Sequence, residues 1–440
     1  MIISLRKIRM HPKYEQFSAF FRLTVITGGA QVFIQIVGLI AGIAIIRLLP
    51  AQEYAFYTLA NAMLGTMSLL ADGGISTGVI SQGGKVWDDK EKLGVVLYTG
   101  MRLRRKLSFI TLAVILPVLA YLLIHQNASV LVTLLIIISI IPAYYASLSD
   151  SLLEIIPKLH QDIKPLQQNQ MGVGISRLIL STVFLFFFPW AFIAVFAAGI
   201  PRIIANIKLR MIANKFMTTA KVSDPIVEGE IMSVVKRNLP GVIYYCLSGQ
   251  ITIWILSIFG NSVSLAASGA LSRLGMALNV LTVMIGTLVV PRFARLLADR
   301  NTMMKRFLQI FGAMAAISCL VQLFVFTFSS QLLYVLGPAY FNLEWELFVY
   351  FLGCNITLLV STCYGLYASR GWIIKPFFSI AYNITFLIIG VIIFDVSTLI
   401  GVLWFTLFIS CSQLLMHFLF AIYKIHKTGK HSFIEADSPI

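Results

Sequence analysis

Twelve mostly apolar stretches follow one another along the chain, each close to the ~20 residues a helix needs to cross a bilayer. They lie at 23–48, 54–74, 107–124, 129–148, 169–188, 190–211, 239–259, 265–290, 307–328, 344–367, 376–394 and 397–423. In hydrocarbon every backbone N–H and C=O must find its partner inside the protein, so a run of this length reads as a helix. Composition agrees: charged residues are 12% and apolar residues 58% of the chain, where a soluble domain is about 25% charged. The expected fold class is all-α, a polytopic membrane protein of about 12 transmembrane helices.

The net charge of +16 would suggest a nucleic-acid partner in a soluble protein, but here the charges sit in short clusters between apolar runs. Alternate loops carry 31 of the 34 lysines and arginines, including "RLRRK" at 102–106, and the other loops carry none. This asymmetry predicts that both termini face the cytoplasm and that no nucleic acid is bound. No short apolar segment with a small-residue cleavage site follows the basic N-terminus, so no removable signal peptide is expected. The long stretch at 213–238 divides the runs six and six. The expected domains are an N-terminal segment at 1–22, a six-helix lobe at 23–212, a linker at 213–238, a second lobe at 239–424 and a tail at 425–440. An even number of spans per half makes the halves parallel repeats.

Enzymatic chemistry finds little support. The five cysteines lie in apolar runs without a Cys-x-x-Cys pair, and the six histidines lack ligand spacing. Neither a metal nor a cofactor is expected. "GVISQGGKV" at 78–86 fails the phosphate-loop spacing, because Gly84 intervenes and Val86 stands where a hydroxyl is needed. No loop has room for a catalytic domain; the largest on the outer side is 329–343.

Polar residues inside the runs are the informative ones. A charge at mid-bilayer costs roughly 2.5–3.5 kcal/mol on insertion scales, so it usually faces a protein interior or a water-filled cavity. Arg47, Arg177 and Arg273 are the three basic residues outside the loop pattern. Arg273 lies about 12 Å along its helix from the outer end. Gly269 and Gly275 beside it suggest close helix packing. Gln31 and Gln35 share a face of the first run, and Asn61, Gln250 and Asn279 add amides in others. Asp72, near the inner end of the second run, is a candidate for ion coupling or for a helix-end cap. A cationic, amide-rich interior with few acids suits an anionic ligand with many hydroxyls. It suits a cationic drug poorly.

Three stretches carry a family likeness. "AIIRLLPAQEYAFYTLANAMLGTMSLLADGGISTG" at 44–78 resembles the start of polysaccharide-type (Wzx-like) flippases of the MOP/MATE superfamily. "ASGALSRLGMALNVLTVMIGTLVVPRFARL" resembles the eighth helix of that family, and "LLYVLGPAYFNLEWELFVYFLG" at 332–353 its tenth-helix entry. Pro50 directly after Leu49 and Ala55 before the aromatic depart from the pattern, where glycines are usual. The resemblance implies two six-helix lobes in a MATE-like V that rock between inward-open and outward-open states. It implies an undecaprenyl-diphosphate-linked oligosaccharide as cargo (an O-antigen, capsule or related repeat unit), moved to the outer leaflet of a bacterial inner membrane. A polysaccharide polymerase and chain-length machinery are the implied partners. Arg273, Arg177 and Arg47 would then hold the diphosphate or acidic sugars. Gln31, Gln35, Asn61, Gln250 and Asn279 would line the glycan path, with Asp72 available for ion coupling. The alternative is an ion-coupled multidrug exporter of the same superfamily, which predicts a buried acid in the first lobe. A membrane-bound glycan polymerase or a channel fits the short loops and polar interior less well.

Overall fold

Some helix ends are set by local signals: the side chains of Asn261 and Asp299 cap the helices that begin at Ser262 and Arg300, and Gly337 follows the one that ends at Leu336. The computed structural model describes residues 12–160, 162–218, 222–249, 251–294, 296, 299–370, 372 and 374–434, and among these no strand occurs. In chain order the α-helices longer than two turns are α1 (Pro12–Leu48), α2 (Ala51–Asp72), α3 (Ile75–Lys85), α4 (Lys90–His125), α5 (Val130–Leu153), α6 (Ile163–Phe187), α7 (Ala191–Ala213) and α8 (Pro225–Gly249). They continue as α9 (Ile251–Phe259), α10 (Ser262–Gly275), α11 (Arg300–Thr327), α12 (Ser329–Leu336), α13 (Glu344–Ala368), α14 (Pro376–Ile393) and α15 (Leu399–Ile434). Among the described residues, nine helices are long and apolar enough to cross a membrane, or ten if the bent pair α2–α3 forms one span. The other two expected runs, 23–48 and 239–259, have side chains described only in part.

Several helices outrun the apolar stretches. Residues 102–106, expected in a loop, lie inside α4, which starts at Lys90 and carries Pro117 in its interior. Arg202 and Arg210, also counted with the loops, lie inside α7. The loop at 329–343 holds α12 and a turn of 3-10 helix at Pro338–Tyr340. "GVISQGGKV" falls almost entirely in α3, a helix and not a phosphate loop.

The chain divides into two compact units. The first comprises Met1–Ile45, Met63–Ala120 and Val130–Ile243. Its core joins Ile75 and Val79 of α3, Leu93 and Leu97 of α4, Leu152 of α5, and Ile231 and Val235 of α8. The start of α8, within the stretch read as linker, is thus packed into this unit. Gly78 lets α3 approach it: a Cβ there would stand 3.0 Å from the Ile231 side chain. α2 and α3 meet at a 45° bend. Gly73 and Gly74 make it, with φ of 50° and 99°, a left-handed conformation that other residues adopt at a cost.

The second unit comprises Ile46–Ala62, Tyr121–Ser129 and Tyr244–Ile440. Phe293, Met303, Phe307, Cys363, Tyr367 and Ile425 form one of its cores. Amides stitch its helices together. Gln322 of α11 accepts from Asn355 of α13 at 2.9 Å, and Gln413 of α15 donates to Asn383 of α14 at 3.0 Å. After α10 the backbone passes through a 3-10 turn at Met276–Leu278, a short α-helix at Asn279–Met284 and a π-helical turn at Ile285–Val289. Such departures in mid-helix loosen the local hydrogen-bond ladder and mark places where a helix bends.

Candidate functional site

Arg273 sits in the last turn of α10 in the second unit. Two close approaches fix that helix. A Cβ on Gly269 would strike the Thr58 side chain, and one on Gly275 would lie 2.6 Å from the Tyr350 hydroxyl. The two glycines therefore serve the tight packing that their spacing predicted.

The guanidinium of Arg273 turns to the aromatic start of α2. It lies 6.0 Å from the centre of the Tyr57 ring, within cation–π range. The hydroxyls of Tyr54 and Tyr57 both interact with it. Tyr54 and Tyr57 are each fully buried. Arg273 Nε and the Tyr54 hydroxyl are buried without a hydrogen bond of good geometry. No ion pair to Arg273 occurs among the described residues. The result is a half-buried cation surrounded by phenols, with its charge left uncompensated. The two tyrosines escaped the sequence reading, although their i, i+3 spacing in "EYAFY" puts them on one face of α2.

On the adjoining face of the same segment lies a cavity of about 560 Å³. Ser272, Asn279, Thr282, Thr357, Ser361 and Thr406 are among its polar lining, and no charged side chain lines it. Arg273 is not in this wall. It stands one side chain behind it, touching the Met276 sulfur at 3.8 Å, and Met276 does line the cavity.

The other expected site residues are distributed as follows. Asn279 lines the cavity just described. Asn61 donates to the Tyr57 carbonyl of its own helix at 2.8 Å. Arg47 is exposed and caps the C-terminal end of α12, donating to the Val335 carbonyl at 2.8 Å and to the Tyr334 carbonyl at 2.5 Å. Arg177 and Gln35 are half-buried on α6 and α1 in the first unit. Gln31 belongs to α1 with its side chain outside the described set, and Gln250 lies outside the described residues. The structure thus brings Arg273 and Asn279 to one segment, with Asn61 one turn beyond Tyr57.

Asp72 ends α2 in the first unit and does two jobs there. Its carboxylate accepts from the Ser76 hydroxyl at 2.7 Å and the Ser76 amide at 3.2 Å, which caps α3. It also forms an ion pair with Arg104 of α4. Arg104 is 2% exposed and donates further to the Leu148 carbonyl and the Ser151 hydroxyl, each at 2.6 Å. Sequence reasoning missed Arg104 because it placed 102–106 in a loop. The signal against that placement was the absence of any helix breaker between Lys90 and Phe109 other than Gly94 and Gly100.

The sequence matches no family model and no curated protein. Its fold, by contrast, is found in solved structures. A multidrug resistance MATE family transporter of the MOP superfamily, inward-facing, superposes with a TM-score of 0.70 at 14% identity, over 90% of this chain and 96% of that one. An outward-facing structure of such a transporter gives 0.63 at 16% identity, over 94% and 96%. The lipid II flippase MurJ in an inward closed conformation gives 0.67 at 14% identity, over 94% of each chain. The chain is therefore an all-helical, multi-pass membrane protein with a MATE-like fold.

Proposed function

We propose that this protein is a flippase that carries an undecaprenyl-diphosphate-linked oligosaccharide across the cytoplasmic membrane by alternating access. The observation that carries the reading is the uncompensated charge of Arg273 beside a neutral, hydroxyl-rich cavity. A guanidinium held by tyrosines keeps its full charge for an anion, and its fork matches phosphate oxygens bidentately. Hydroxyls and amides such as Asn279 suit sugar rings. A drug cation would find no carboxylate in that wall. The fold is shared with a lipid II flippase, whose cargo is itself lipid-linked.

In this reading Arg273 takes the diphosphate, and Arg177, singled out from the sequence, is the further candidate for an anionic group of the cargo. Gln35, Asn61 and Asn279 contact the glycan. The polyprenyl tail stays in lipid. Both termini face the cytoplasm in this reading, which the loop charges support. The lobes are read as residues 23–212 and 239–424 with 213–238 between them, the start of α8 within that stretch packing on the first unit. Transport involves no covalent chemistry, and any drive comes from an ion gradient. Coupling through Asp72 requires a proton or sodium ion to displace Arg104 from its carboxylate.

Multidrug export is the second reading, favoured by the fold shared with MATE transporters. One experiment separates the two. In a strain lacking the gene, a flippase predicts loss of a surface glycan with an unchanged drug-susceptibility panel. An exporter predicts the reverse.

A further inference from the structure

Apart from the candidate cargo site of the second unit, the first unit holds a basic hollow at the charged end of α4 and α7. A cavity of about 440 Å³ is lined by Tyr98, Arg102, Arg105, Arg210 and Asn214 among others. A smaller one of about 170 Å³ adjoins it, sharing Met101, Arg105 and Arg210 and adding Ser149. Neither wall contains a carboxylate. Arg102 is engaged by the Ser223 hydroxyl, and Arg104 by its own buried partners. Arg105 and Arg210 are exposed, and no hydrogen bond or ion pair engages either guanidinium among the described residues. The Ser149 hydroxyl is buried at this place without a partner. Two guanidiniums and a hydroxyl without hydrogen-bond partners among the described residues thus converge on one hollow, an arrangement that suits an anion.

The surroundings say what kind of anion. One turn along α4 from Arg105, toward the middle of the helix, stands Phe109, 60% exposed. On α7 Ile207, 60% exposed, and Ile203 precede Arg210 on the same face. Tyr145, one turn before Ser149 on α5, is 36% exposed. Charge at the helix ends thus continues into apolar surface along the spans. A free phosphate has no use for that surface; an acyl chain does.

We propose that Arg105, Arg210 and Ser149 bind the headgroup phosphate of an anionic glycerophospholipid, whose chains lie along Phe109 and Ile207. Two arginines that fork onto phosphate oxygens give charge-assisted bonds, and basic pockets between transmembrane helices hold such headgroups. The proposal rests on the membrane setting and not on the identity of the cargo, so failure of either leaves the other standing.

The test is native mass spectrometry of the full chain, purified in detergent, with phosphatidylglycerol and phosphatidylcholine in competition. Wild type is expected to retain phosphatidylglycerol preferentially. The double variant Arg105→Gln, Arg210→Gln is expected to lose about tenfold in that retention. Both residues are exposed, so the variant is expected to fold, and size-exclusion chromatography verifies it. Lys236→Gln with Arg237→Gln removes the same charge elsewhere and is expected to retain the lipid. Equal retention by the two double variants would overturn the proposal, since net charge alone would then explain binding. Glycerol phosphate, a headgroup without chains, is expected not to displace the lipid at a tenfold excess. Displacement at that ratio would make the site one for soluble phosphates and overturn its assignment to lipid.

Discussion

Arg273 of α10 lies 6.0 Å from the centre of the Tyr57 ring of α2 and has no carboxylate partner among the described residues. A charged side chain in a span whose partners among the described residues are phenols and a thioether is costly to keep, and that cost is the reason to assign it an anion. Arg273→Ala is expected to lower surface-glycan display about tenfold or more at normal protein level, because charge-assisted bonds to phosphate are lost. Arg273→Lys keeps the charge without the fork and is expected to fall between the two. Quantitative glycan staining with an immunoblot for the protein reads both.

The Asp72–Arg104 pair makes a separate prediction. Asp72→Asn leaves a 2% exposed arginine without its counter-charge. Breaking such a pair costs roughly 3–5 kcal/mol. Thermal unfolding in detergent is expected to show a large drop for Asp72→Asn and for Arg104→Gln. The double variant is expected to recover more than half of the summed loss, because its two sites share one network. Additive losses would show that the two residues act independently.

Gly269 makes a prediction about packing. Its replacement by alanine puts a methyl into the Thr58 side chain. Overpacking of this kind costs about 1–3 kcal/mol. Thr58→Ala removes the obstructing atoms, so the pair Gly269→Ala, Thr58→Ala is expected to melt close to wild type. Failure of that rescue would place the strain elsewhere along α10.

Arg47 is expected to behave unlike Arg273. Its guanidinium is committed to the Val335 and Tyr334 carbonyls at the end of α12. Arg47→Gln is expected to cost about 0.3–1 kcal/mol of stability through the lost helix-end interaction, and to leave glycan display within about twofold. A loss as deep as that of Arg273→Ala would assign Arg47 to the cargo.

Much of the fold was legible because the bilayer imposes its own ruler. Apolar runs of about 20 residues announce helices wherever they occur. Charged helix ends were not legible by that ruler: "RLRRK" looks like a loop by hydropathy, although α4 runs through it and buries Arg104. Helices here extend past the apolar zone, and composition does not say where a polar helix stops. Gly269 and Gly275 were readable as contact points because a missing side chain has few other uses in a span. Tyr54 and Tyr57 were not, since an aromatic residue near a span end more often belongs to an interfacial belt. Arg273's charge could be read from the sequence, but the direction of its side chain depends on α2, far away along the chain.

The most direct measurement is translocation by the purified protein. Reconstituted into liposomes loaded with an undecaprenyl-diphosphate-linked oligosaccharide on one leaflet, wild type is expected to deliver the glycan to a lectin or glycosidase on the other side. Arg273→Ala at equal incorporation is expected to be slower by about tenfold or more, and a cationic dye is expected not to compete. Equal rates for wild type and Arg273→Ala would contradict the role given to this arginine. Transport of the dye without movement of the lipid-linked glycan would contradict the flippase itself.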